Sequence, residues 1–130
     1  MTKLTEIYNP TQPIILLSLK TPYVHKIISG EQIEEHRKRF LHSACQAIVY
    51  SSGKDKAIEL FINLGTPVIV EDGYKMSIIS HTELTNKIPL DTIQKEFPDF
   101  KAPRSYIYID KPDKESLLEY FLQQNIKNEQ

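Results

Sequence analysis

Glu35 and Arg37 stand two residues apart in Gly30-Glu31-Gln32-Ile33-Glu34-Glu35-His36-Arg37, and on a strand that spacing sets a carboxylate beside a guanidinium on one face. Held in a concavity next to Lys20, such a pair can bind a polar ligand through several charge-assisted hydrogen bonds. On an open strand the same residues make only a surface ion pair. Around them, between residues 20 and 42, Lys20, Lys26, Arg37, Lys38 and Arg39 meet only Glu31, Glu34 and Glu35 as acids, and His25, His36 and His42 fall in the same stretch. That composition suits either a local anion-binding patch or a solvated strand end.

Other chemistry is weaker. His25, His36, His42 and His81 offer neither a Cys pair nor a His-x-x-x-His helix, so no metal site is expected. Cys45 is the single cysteine and lies between Ala44 and Gln46, which reads as a small core residue rather than a nucleophile. Ser51-Ser52-Gly53-Lys54-Asp55 lacks the spacing of a phosphate loop and reads as a hairpin loop at the edge of a cleft. No cofactor is expected, and no residue is assigned a catalytic role.

The elements that must position Lys20, Glu35 and Arg37 follow from local pattern. Pro13 precedes the apolar run Ile14-Ile15-Leu16-Leu17, which suits a buried strand, after which Ser18 and Lys20 point to one side. Thr21-Pro22 starts a helix; Val24, Ile27 and Ile28 give it one apolar face, and Gly30 ends it. The chain then turns back as a second strand. Period 2 there puts Ile33, Glu35 and Arg37 on one face and Gln32, Glu34, His36 and Lys38 on the other.

This stretch resembles the signature of the ASCH domain, a PUA-like β-barrel family. Leu17-Ser18-Leu19-Lys20 is similar to the family's Leu-Ser-x-Lys strand, and Tyr23 to the tyrosine near the start of its following helix. Residues 30 to 37 are similar to its Gly-x-Lys-x-x-Glu-x-Arg pattern, with Gln32 where most members have Lys. Gln46 to Ser52 and Ser105 to Ile109 resemble two later strands. The resemblance implies an α+β fold, a small, mostly antiparallel barrel of five or six strands with a short helix after the first strand and a C-terminal helix. It also implies a polar cleft lined by Lys20, Gln32, Glu35, Arg37 and Ser51, with Tyr23 at its rim.

The remaining chain is read in the same terms. Residues 1 to 12 form an N-terminal arm, 13 to 125 a single domain, and 126 to 130 a frayed tail. Residues 56 to 64 alternate as a strand, and 67 to 70 fit either a strand fragment or packed loop; 74 to 88 show no clear pattern. Leu90, Ile93 and Phe97 mark a short amphipathic helix; Leu117, Leu118, Phe121 and Leu122 mark a second, between Pro112 and Gln124. Its stripe can pack on the barrel or on a protein partner.

A formal net charge of −1 excludes a generic polyanion binder, so any nucleic-acid affinity must be local. No apolar run reaches the ~18 residues of a membrane span, and no secretory segment follows Met1, so a cytoplasmic location is expected. PUA-like folds imply a module for single-stranded or locally unpaired RNA, or for a nucleotide. A protein-interaction module without nucleic acid is the alternative. One branch of the family hydrolyses acylated cytidine with a Lys and a Thr at the places of Gln32 and Glu35. Neither residue here can take over those roles, which disfavours an amidohydrolase and leans against enzymatic activity.

Overall fold

The structure, a computed structural model, describes residues 2–127. In chain order it contains β1 (Ile14–Lys20), α1 (Thr21–Ile28), β2 (Glu34–Arg37), β3 (Cys45–Ser52), β4 (Ala57–Leu64) and β5 (Val68–Val70). There follow β6 (Gly73–Pro89), α2 (Leu90–Glu96), β7 (Tyr106–Tyr108) and α3 (Glu115–Leu122). The strands form a curled half-barrel in the order β2-β6-β4-β3-β1-β7, with β5 added to β6. Only β1 and β3 run parallel among these pairings. The expected α+β, mostly antiparallel architecture is present, with seven strands in place of five or six.

β1 is apolar without alternation because both of its faces are buried. Ile14 and Leu16 pack with Ile48, Tyr50, Ile58 and Phe61, while Ile15, Leu17 and Leu19 pack with Val24, Ile27, Val49 and Leu60. A parallel neighbour requires a crossover, and α1 with residues 29 to 44 supplies it. Val24 and Ile27 turn inward, and Gly30 adopts φ +80° while its N–H donates to the Ile27 carbonyl at 3.0 Å. This left-handed step is what glycine allows at a helix end. It returns the chain toward the mouth of the half-barrel, where β1 leaves Lys20.

The segment 74 to 88 lies within one strand of 17 residues. Its first part pairs with β2 and β5 and the rest with β4, through register shifts between Ile58 and Leu60 and between Asn63 and Leu64. Each shift changes which side chains face the core, so no single period survives in the sequence. Gly73 opens this strand at φ +146°, and a Cβ there would strike the backbone of Arg37 and Lys38. Glycine therefore lets the turn between β5 and β6 press against the end of β2.

The C-terminal helix starts later than Pro112, because Pro112–Lys114 forms a 3-10 turn ahead of it. Leu117, Phe121 and Leu122 are buried in the domain's own core with Leu4, Ile93, Phe100 and Ile109, so the fold itself takes up most of that stripe. The expected N-terminal arm carries an element of its own. Leu4–Glu6 forms a 3-10 turn, Leu4 is fully buried, and its N–H donates to the Gln124 carbonyl at 2.9 Å. Ile126, expected to fray, is buried and bridges to Leu84, while Lys127 Nζ reaches Glu83 at 3.0 Å. Residues 128 to 130 of the expected tail lie outside the described residues. No helix among the described residues is long and apolar enough to cross a membrane.

Candidate functional site

The end of β1, the start of α1, β2 and the segment before β7 surround a cavity of about 650 Å³. Five of the six expected cleft residues line it: Lys20, Tyr23, Gln32, Glu35 and Arg37. The sixth, Ser51, does not. It is fully buried, and its Oγ is 2.8 Å from Thr21 Oγ1; Ser52 lines the cavity in its place. The displacement follows from the register shift in β3 between Val49 and Tyr50, invisible in an alternation count.

Gln32 shares the cavity with Glu35 and Arg37 although period 2 assigns it to the opposite face. The regular strand begins only at Glu34, so the alternation does not extend back to Gln32. Instead its backbone N–H donates to the Lys26 carbonyl at 3.0 Å and its side-chain amide to the Glu34 carbonyl at 3.0 Å. Ile33, expected to share the Glu35 face, is 66% exposed.

Glu35 and Arg37 are paired as expected, with Arg37 Nε 3.1 Å from Glu35 Oε2. The guanidinium goes further: Nη1 donates to Ser105 Oγ at 2.9 Å and Nη2 to the Ser18 carbonyl at 3.0 Å. Glu35 Oε1 in turn accepts the His36 N–H at 3.2 Å. Arg37 thus fastens β2 to β1 and to the residue before β7 across the mouth of the half-barrel. Three of its five N–H groups are engaged within the protein, and the side chain also lines the cavity.

The other charges divide into paired and unpaired. His36 stands 3.1 Å from Asp72, and Lys75 stands 3.6 Å from Glu34. Lys20, Lys38 and Arg104 line the cavity, are exposed, and make no side-chain ion pair among the described residues. Three cations therefore line one concavity without an ion pair among the described residues, while the acids that share its lining, Glu34, Glu35 and Asp72, pair with Lys75, Arg37 and His36. Tyr23, 49% exposed on the first turn of α1, adds an accessible ring at the rim. Arg104 was not recognised as a site residue because it is 84 positions from Lys20 in the sequence. Only the antiparallel pairing of β1 with β7, together with the Ser18 N–H donating to the Ser105 carbonyl at 2.9 Å, brings it here.

Behind this wall lies a second polar cluster. Thr21 Oγ1 donates to the Ser52 carbonyl at 2.9 Å and accepts the Asp55 N–H at 3.1 Å, tying the β3–β4 turn to the start of α1. His25 Nε2 is 3.0 Å from Asp55 Oδ2, and Lys87 Nζ lies 3.6 Å from Asp55 and 3.7 Å from Glu59. Burial, then the neighbouring Asp55, push the Glu59 carboxyl up; hydrogen bonding to Glu59 leads the causes that bring Asp55 down.

No family model and no curated protein matches the sequence. Solved structures do. An ASCH protein from Zymomonas mobilis superposes with a TM-score of 0.68 over 87% of this chain and 98% of that one, at 17% identity. This chain has the ASCH fold. A tyrosine-to-phenylalanine variant of that protein matches with a TM-score of 0.68 over 84% of this chain and 98% of the other, at 14% identity. Its serine-to-alanine variant gives 0.65 over 86% and 99%, at 17% identity. In this fold Ser18, Lys20, Tyr23, Gln32, Glu35 and Arg37 line the cavity, while Leu17 turns into the core.

Proposed function

We propose that the cavity binds the phosphates and a base of single-stranded or locally unpaired RNA, or of a nucleotide. The observation that carries this reading is the set of three unpaired cations, Lys20, Lys38 and Arg104, in one open concavity beside the exposed Tyr23 ring. Lysine and arginine supply the charge that attracts phosphates, and the tyrosine supplies a face on which any base can stack. Gln32 and Glu35 offer donor and acceptor groups toward a base edge. Arg37 supports the wall and keeps two N–H groups that can reach a phosphate.

With three phosphate contacts on a single strand, the log–log dependence of affinity on salt has a slope of about −2. Titration of fluorescein-labelled oligoribonucleotides and of nucleoside phosphates at low salt tests the reading. Lys20→Glu combined with Arg104→Glu should abolish binding of every sequence, and Gln32→Ala should blur discrimination between bases. Absence of binding to any RNA, DNA or nucleotide, or indifference to the charge reversals, rejects it in favour of a protein-interaction module.

A further inference from the structure

We propose that His25, Asp55 and Glu59 form a binding site for a single divalent transition cation, of the class of Zn²⁺ or Mn²⁺. The three side chains come from different elements: α1, the β3–β4 turn and the body of β4. Their donor atoms all lie within 4.8 Å of one another, and the His25 Nε2 to Asp55 Oδ2 separation is 3.0 Å. Ligands of one ion at metal distances of about 2.0–2.2 Å stand at most about 4.4 Å apart.

A second, independent feature points to an occupant. Glu59 is 4% exposed, and its Oε2 has no hydrogen-bond partner. A buried carboxylate oxygen close to a second carboxylate is stabilised by a cation that both can reach. Lys87 is the only ammonium paired with these acids among the described residues; it stands at the margin, 3.6 and 3.7 Å away, and is 58% exposed. Its long side chain can swing into water when a cation takes its place. One imidazole nitrogen and two carboxylate oxygens suit the borderline ions of the first transition row and leave positions open for water. Spacing along the chain conceals the site because His25, Asp55 and Glu59 follow no ligand motif; Thr21 and its bond to the Asp55 N–H bring the turn to the helix.

The full-length protein is to be titrated with Zn²⁺ against a chromophoric chelator, with Mn²⁺ binding followed by electron paramagnetic resonance. Wild type should bind one ion per chain, and Glu59→Gln and His25→Ala should each weaken that binding at least tenfold. His36→Ala should leave it unchanged, since His36 belongs to the separate pair with Asp72. The proposal is overturned if wild type binds no tighter than the two variants, or if His36→Ala loses as much. Should Glu59→Gln fail to fold, His25→Ala decides alone, because that side chain is 55% exposed and its loss leaves the core intact. RNA binding by the cavity stands or falls separately.

Discussion

Replacing Arg37 by alanine should injure stability, whereas replacing Lys20 should injure binding alone. The guanidinium makes three hydrogen bonds, at 3.1, 2.9 and 3.0 Å, and its ion pair with Glu35 is formed by side chains 17% and 9% exposed. Removing one partner of a fully buried pair costs about 3–5 kcal/mol, because the other charge is left without compensation. Here the His36 N–H still serves Glu35 Oε1 and some water can enter, which brings the expected loss to about 2–4 kcal/mol. At about 2.1 cal/mol/K per residue, a chain of this length loses about 4 °C of Tm per kcal/mol, so the midpoint should fall by about 8–15 °C. Urea unfolding should show a lower midpoint with an unchanged slope. Adding Glu35→Gln to Arg37→Ala should recover part of the loss, since a neutral amide tolerates the vacated site better than a carboxylate. Lys20→Ala, at an exposed side chain without an ion pair, should stay within about 0.5 kcal/mol of wild type while losing ligand affinity. A Tm change below about 3 °C for Arg37→Ala, with no recovery from Glu35→Gln, would refute the account of Arg37 as a fastening between strands.

Three other outcomes follow from single positions. Gly73→Ala should cost about 2–4 kcal/mol by denaturant titration, because φ +146° and the Arg37 and Lys38 backbone both exclude a Cβ; a neutral result would contradict the close approach. Cys45 is fully buried and its thiol is pushed up to about 12 by burial, so an aromatic disulfide reagent at pH 8 should leave it untouched until the protein is unfolded. In chelator, Glu59→Gln should gain stability relative to wild type as pH rises from 4 to 8. A carboxyl whose folded pKa is raised contributes stability below its unfolded pKa and loses it as pH climbs through the folded value, whereas glutamine does not titrate. A difference that shrinks with pH would show the sign to be wrong.

Local chemistry in residues 14 to 37 determined a good deal without any structure. The unbroken apolar run of β1 marks a strand buried on both faces, and the helix begun at Thr21-Pro22 and ended by Gly30, like the Glu35–Arg37 pairing, depends on near neighbours, where period and local backbone preference operate directly. The same holds for α2 and for most of the stripe on α3. Tertiary structure decided what those residues do. Whether a cation is held or free depends on acceptors remote in sequence: Arg37 is bonded to Ser18 and Ser105 as well as to Glu35, while Lys20, Lys38 and Arg104 line the cavity without an ion pair among the described residues. Bulges that add no recognisable residue moved Ser51 into the core, placed Ser52 at the cavity and erased the periodicity of β6. Glu59 reads as the polar member of an alternating strand, yet it is buried because α1 and the β3–β4 turn bring His25 and Asp55 over it. Strand pairing and burial act between residues tens of positions apart, and they set the charge state and accessibility that propensity and spacing leave open.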